Sequence, residues 1–269
     1  MPKEATILVV GACALDRILH LESYPPQDSK TRCSQTFEYG GGNAANTAST
    51  LARMSDAKFL KGGDDTSEDG GWASITIKLL SKIGNDSVKD QICCELEEFG
   101  VDLSSPLFKV DSEKSSTTPI ATVIVTTMEP HSRTCLYDPG TCGVLTAQDV
   151  QHIDLDHIFE NVIHLHSDSR HTEAAALLAK DAQRRGIPVS VDVERDRLSQ
   201  SFDDLLDAAS MIFTNENKMS CTLKRRLVDG LTFPRDRGDL ADVAYLCHAI
   251  ESLNTEDASC RRKDVVVTL

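Results

Sequence analysis

The sequence predicts an α/β fold built on a doubly wound parallel sheet, and three observations carry that reading. The run ATILVVGAC (5–13) is apolar almost without interruption, the style of a parallel strand covered on both faces. From 161 to 215 the pattern runs strand, helix, strand, helix, strand: NVIHLHSDS, HTEAAALLAKDAQRRG, IPVSVDV, SFDDLLDAA and SMIFTN. That spacing gives right-handed βαβ units. No internal repeat and no Pro- or Ser-rich linker interrupts the 269 residues, so a single domain, 1–269, is expected.

The elements follow in order. After the first strand, DRILHLESYPPQDSKTRCSQTFEY (16–39) holds strand-like pieces around a Pro-Pro turn. GGGNAANTASTLARM (40–54) is a Gly-rich turn opening a helix of small residues. SDAKFLKGGDDTSEDGGWAS (55–74) is acidic, Gly-rich and without period, and reads as a partly disordered loop. ITIKLLSKIGND (75–86) resumes as a strand, and SVKDQICCELEEFG (87–100) is a helix closed by Gly100. TTPIATVIVTTM and RTCLYD read as two strands of a hairpin, and GDLADVAYLCHAIESL (238–253) as a helix. RRKDVVVTL (261–269) is a charged turn followed by a buried strand from Val265 to Leu269.

Composition excludes several function classes. A net charge of -14 argues against DNA or RNA, whose phosphates need Lys and Arg, and against anionic membranes. It leaves a nucleotide substrate open, because a local cationic patch or a metal ion can reverse the field in a cleft. Nine cysteines, with no C-x-x-C and no zinc spacing, read as reduced thiols. The N-terminus enters a strand at once with no signal or transit pattern, and no apolar run approaches a membrane span. The expectation is a soluble, cytoplasmic protein.

The chemistry-bearing group is Asp16, Asp28 and the turn GGGNAAN (40–46). Small residues let backbone approach a ligand, and a helix start offers free N–H groups. Two carboxylates and two amides suit the hydroxyls of a polyhydroxylated ligand, although a tight turn with two solvated aspartates reads equally well from spacing alone. The turn is neither G-x-G-x-x-G nor a Walker loop. Three lesser signals stand apart. Asp65, Ser67, Asp69 and Gly70 sit at EF-hand loop positions, but position 12 is Thr76 and no helix precedes, so a solvated acidic loop is the better reading. His164 and His166 in HLHSDSRH fall on one side of a strand near His171, and read as cleft lining more readily than as a metal pair. Cys135 and Cys142 lie close in sequence, and isolated buried thiols are the default for them.

The whole pattern resembles the PfkB/ribokinase family of carbohydrate kinases, most closely its ketohexokinase-like members. Leu15–Asp16, YPPQDSKTR (24–32) and GGNAAN (41–46) are similar to the family's N-terminal signature. SKIGND and ELEEFGVD resemble its second block, HSRTCLYDPG its lid hairpin, and SVDVERDR and IFTNEN the strands leading to the nucleotide. The resemblance implies a three-layer α/β domain with a small β-lid, the lid strands at roughly 14–40 and 107–137. It implies transfer of the γ-phosphate of ATP to a sugar hydroxyl, with Mg²⁺ and in some members a monovalent cation. Asp16, Asp28, Gly41, Gly42, Asn43 and Asn46 would hold the sugar. Arg133, Asn215 and Thr268 would face phosphate and nucleotide. Many relatives also dimerise through the lid.

Two departures qualify this. The family's N-x-x-E motif reads NENK, with Lys218 in place of Glu, leaving Glu216 as the nearby metal-side carboxylate. The family also follows V-T-x-G with a G-A-G-D motif, whose Asp is the base and whose helix N-terminus binds the transferring phosphate. No G-A-G-D stands anywhere in the 269 residues, so the base is expected beyond Leu269. A missing base costs about 10²–10⁴ in rate, and a missing oxyanion-type donor about another 10²–10³. The expectations are therefore a sugar kinase cut short by truncation or gene misassignment and nearly inactive as it stands, or else a non-catalytic sugar-binding homologue. A nucleoside kinase is the runner-up substrate reading.

Overall fold

The computed structural model describes residues 4–55, 74–128, 131–194, 197, 199–215 and 264–268. They fall into two compact units, Met1–Leu145 and Thr146–Leu269.

The first unit carries strands β1 (Glu4–Val10), β2 (Ala14–Leu21) and β3 (Gln35–Gly41), then helix α1 (Asn43–Ser55) and β4 (Ser74–Ile83). Helix α2 (Ser87–Glu98) follows, then β5 (Val101–Asp102), β6 (Phe108–Val110), β7 (Ile120–Thr126) and β8 (Arg133–Asp138). Its core sheet is parallel: β1 pairs with β4, and β4 also pairs with β5 and β6. Strand β1 is the apolar run read from the sequence, with Leu8, Val9 and Val10 at most 1% exposed. Helix α1 buries Ala44, Ala45, Ala48 and Ala52. They share a core with Val9, Leu15, Ile77, Leu79, Ile83, Ile92 and Leu96. The alanines sit on one face at helical spacing, and their small size lets the helix axis come close to the sheet.

A second, four-stranded sheet runs β3-β2-β7-β8. Strand β2 is antiparallel to β3 and parallel to β7, and β7 is antiparallel to β8. Phe108–Val110 is not part of this sheet and pairs with Ser81–Ile83 of the core sheet. Leu15 has Gly40 opposite it on β3 and Ile120 opposite it on β7.

Helix α2 joins the two sheets. Asp86 is its N-cap and accepts the Lys89 N–H at 3.0 Å. The same carboxylate takes the Thr118 N–H at 2.8 Å and its hydroxyl at 2.7 Å. Gly84 lies so close to this segment that a Cβ there would collide with the Thr117–Thr118 peptide. Burial works against the charge on Asp86, but these donors more than offset it and hold its carboxyl below the usual carboxylate range. Two residues on from Thr117, the Pro119 carbonyl accepts the Leu15 N–H at 2.9 Å.

The second unit carries helices α3 (Ala147–Gln151) and α4 (Leu155–Ile158), strand β9 (Val162–Ser167), α5 (Thr172–Arg184) and β10 (Val189–Val193). It ends with α6 (Gln200–Ala208), β11 (Met211–Asn215) and β12 (Asp264–Thr268). The strands are parallel in the order β9-β10-β11-β12. Each crossover from β9 to β11 is the helix expected from the sequence. Helix α5 ends before Gly186 at φ +76, a left-handed position that suits glycine. Helix α6 starts at Ser199, whose hydroxyl accepts the Phe202 N–H, and it buries Phe202, Leu205 and Leu206. The helix expected at 238–253, the loop of 56–73 with its EF-hand-like positions, and Leu269 lie outside the described residues.

Burial outweighs surface charge pairing in this fold. A fully buried Leu or Ile contributes about 1.5–3 kcal/mol. The Arg17–Glu38 pair across β2 and β3, each side chain 40% exposed, adds about 0–1 kcal/mol. No helix among the described residues is long and apolar enough to cross a membrane.

Replacing Asp86 by Ala should lower stability in urea by about 1–2 kcal/mol at neutral pH, the usual cost of a lost N-cap. The folded-state carboxyl titrates below its unfolded value of about 3.9, so the contribution is complete above that value and fades as pH falls through the lowered one. The gap in urea midpoint between wild type and variant should therefore narrow on acidification below about pH 4.

Candidate functional site

The site begins with a crowded turn. β3 ends at Gly41, Gly42 takes φ +91, and α1 starts at Asn43. A Cβ on Gly42 would lie 2.6 Å from the Ala12 carbonyl oxygen, and one on Gly41 would collide with the Asp16 carboxyl. The turn is thus pressed against the 11–13 loop on one side and against Asp16 on the other. The Ala12 carbonyl also accepts the Ala45 N–H at 3.1 Å, which fixes the first turn of α1 beneath the loop. Glycine is required here for two separate reasons, a left-handed φ at 42 and a lack of space at 41.

Asp16 is half-buried on β2, opposite Tyr39 of β3 and Ala121 of β7. Burial raises its carboxyl above the usual range, and a hydrogen bond from the Asn46 side chain pulls part of the way back. Asn46 is on the exposed face of α1, and Asn43 is exposed one turn earlier. The structure therefore brings Asp16, Gly41, Gly42, Asn43 and Asn46 together, with one acceptor carboxylate between amide donors at a helix start.

The other expected residues are placed elsewhere. Asp28 is exposed in the β2–β3 connection, with a left-handed φ of 58 that Asp tolerates. Arg133 is exposed at the first position of β8 and pairs with Val125, whereas Asp16 pairs with Ala121. Four residues of strand separate those levels, about 13 Å along the lid. In the second unit, Asn215 and Thr268 are register partners at the carboxyl ends of β11 and β12. Glu216 and Lys218 lie outside the described residues.

The second unit has a polar group of its own. His164 Nε2 and His166 Nδ1 share the Ser190 hydroxyl, at 2.7 and 2.9 Å. A hydroxyl can donate to one ring and accept from the other, so it satisfies two neutral imidazoles at once. Burial, and then the neighbouring His164, lowers His166 to about 4. Burial also lowers His164, and on the adjacent strand it raises Asp192, helped by the charge of Glu194. His171 is buried and stands at the N-cap of α5. Among the described residues no group of three His, Cys, Asp or Glu is arranged to hold a metal ion. Cys135 is exposed and Cys142 buried, and both are free thiols.

Two residues of this region are not legible as site residues in the sequence. Glu95 accepts the Gly40 N–H at 2.5 Å, and Gln91 donates to its other oxygen at 3.2 Å. Asp86 anchors Thr118, as described above. Asp86 carries a signal, an Asp directly before a helical run. Glu95 carries none, because a Glu on the polar side of an amphipathic helix looks like solvent-facing charge.

Residues 4–258 match the pfkB family of carbohydrate kinases. The chain belongs to this family. It is 25% identical over 218 residues to an ATP-dependent ribose-1-phosphate kinase of Halopiger xanaduensis, covering 81% of this chain and 64% of that one. It is 23% identical over 221 residues to the ketohexokinase of Mus musculus, covering 80% of this chain and 65% of that one. The chain thus spans less than two thirds of the length of these curated relatives. Among solved structures it resembles the ribokinase of Arabidopsis thaliana complexed with ribose and ATP. That likeness has a TM-score of 0.65 at 17% identity, over 99% of this chain and 72% of the other. It shows the fold: a ribokinase-like α/β arrangement with a mostly parallel central sheet.

The crowding at the turn gives an unequal response to alanine at two left-handed glycines. Gly42→Ala should cost about 2 kcal/mol or more in urea unfolding, since strain adds to a backbone collision. Gly100→Ala, at φ +83 with nothing within 4 Å of its would-be Cβ, should cost only about 1 kcal/mol. Equal costs would mean the turn has room that the structure denies it.

Proposed function

We propose that the chain acts as an ATP-dependent carbohydrate kinase domain, with the sugar held at the Asp16–glycine turn. The observation that carries this is the half-buried Asp16 carboxyl lying on Gly41 and bonded to Asn46 of α1. An ionised carboxylate is acceptor-only, and a vicinal pair of hydroxyls offers it the donors it lacks. Gly41, Gly42 and Asn43 present backbone and amide groups beside it, and Asp28 of the β2–β3 connection is assigned to the sugar with them. The names of the relatives support a pentose or ketohexose as acceptor.

The nucleotide side is assigned to Arg133, Asn215 and Thr268. Register pairing of Asn215 with Thr268 at strand carboxyl ends supports it, because ligands of open parallel sheets bind outside those ends. Glu216, next to Asn215, is the proposed carboxylate on the Mg²⁺ side, and a monovalent cation fits the same reading. Bound Mg²⁺ would supply charge neutralisation on the β- and γ-phosphates. Of the chain's own residues, Asp16 accepts from the sugar hydroxyls and orients them. A cytoplasmic location and a homodimer through the lid sheet complete the reading.

The test is calorimetry with D-ribose and D-fructose on the wild-type chain and on Asp16→Asn, alongside release of ADP from ATP–Mg²⁺. Wild type should bind one of the sugars, and Asp16→Asn should weaken binding by about tenfold or more, as for a lost hydrogen bond to a charged group. Sugar hydroxyls favour the charged carboxylate, while burial raises the free-protein pKa above about 3.9. Affinity should therefore rise with pH through that raised value and level off above it, and Asp16→Asn should flatten the profile. No binding of either sugar to the folded wild type would remove the proposal.

A further inference from the structure

We propose that Glu95 is a positioning residue for the sugar site, acting through the Gly40 amide; the inference rests on the sugar reading of the Asp16 turn. β3 is the edge strand of the lid sheet, so alternate amides along it have no neighbouring strand to pair with. At Gly40 that outward N–H is taken by the Glu95 carboxylate of α2, at 2.5 Å. A bond to a charged acceptor is among the stronger kind, and here it lies one residue before the glycine that touches Asp16. The other Glu95 oxygen is held by Gln91 one helical turn back, which sets the carboxylate's orientation.

The position of this bond gives it leverage. Leu15, next to Asp16, has two register partners, Gly40 on β3 and Ile120 on β7. Helix α2 anchors the chain at or beside both. Glu95 holds Gly40, and Asp86 holds Thr118, two residues before Ile120. Thus one helix clamps both flanks of β2 at the level where Asp16 leaves the strand. A Cβ at Gly40 would lie 3.0 Å from the Glu95 oxygen, a tight approach to the end of that side chain. If the Gly40 anchor is lost, β3 can shift outward, and the Gly41 backbone moves away from the Asp16 carboxyl.

The variants separate position from charge. Glu95→Gln keeps the chain length and an acceptor oxygen, and the bond to Gly40 survives. Glu95→Asp keeps the charge but withdraws it by one methylene, and the bond is lost. Sugar affinity is measured by calorimetry with D-ribose and D-fructose, and folding by circular dichroism and urea midpoint. Exposed Glu97→Ala on the same helix serves as control. The expected result is affinity about tenfold weaker for Glu95→Asp and Glu95→Ala, within about threefold of wild type for Glu95→Gln, and unchanged for Glu97→Ala. If Glu95→Ala does not fold, the Asp and Gln pair decides alone. Wild-type binding with Glu95→Asp unaffected, or with Glu95→Gln as weak as Glu95→Asp, would overturn the positioning role and leave the sugar reading intact. A wild type that binds neither sugar would overturn both.

Discussion

Three oxygen groups converge on three glycines, and the first unit is arranged around that contact. The Ala12 carbonyl lies against Gly42, the Asp16 carboxyl against Gly41 and the Glu95 carboxylate against Gly40. Gly41 and Gly42 have no room for a side chain, and a Cβ at Gly40 would press on the Glu95 carboxylate at 3.0 Å. The consequence is positional: the loop after β1, strand β2, strand β3 and helices α1 and α2 all meet within one turn of backbone. Displacing any one of them opens the contact, and the half-buried Asp16 then loses the environment that raises its carboxyl.

What keeps the elements there is burial, not charge. Val9, Ile77, Leu79, Ile83 and Ile92 are at most 1% exposed, and the alanine face of α1 packs on the same cluster. That core fixes α1 and α2 relative to β1 and β4. The polar bonds then act as fine adjustment on a frame already set. Asp86 and Glu95 sit near opposite ends of α2 and reach the segments flanking β2. A helix held by apolar contacts can place two carboxylates reproducibly, which a loop cannot do as well.

Much of the fold was legible because it is written in local pattern. The βαβ run from β9 to β11 has Ala- and Leu-rich helices, a Gly stop at Gly186 and short apolar strands, and each appears where expected. The pairings were harder. Phe108–Val110 joins the core sheet, a pairing not legible in the sequence because three residues carry no face pattern strong enough to choose a partner. Spacing alone showed a Gly-rich turn opening a helix and left Asp16 open as a solvated residue; the resemblance to the carbohydrate kinases grouped Asp16 with the glycines and Asn46. Glu95 was not legible, since its partner is a backbone amide 55 residues away that no side-chain pattern reveals. The histidine pair was legible as a group on one strand face, but Ser190 was not, for the same reason of long-range pairing.

The two units carry separate halves of the proposed chemistry: a sugar cradle in the first, and paired strand ends at Asn215 and Thr268 in the second. The central claim is that the crowded glycine turn is itself the sugar-contacting surface. Amide NMR on glycine-labelled protein tests it most directly, by titrating D-ribose and D-fructose and following individual glycines. The account predicts that Gly40, Gly41 and Gly42 shift together and saturably, while Gly100 and Gly186, each in open space at the end of a helix, stay in place. Saturable shifts at Gly100 or Gly186 with the turn unmoved would contradict it.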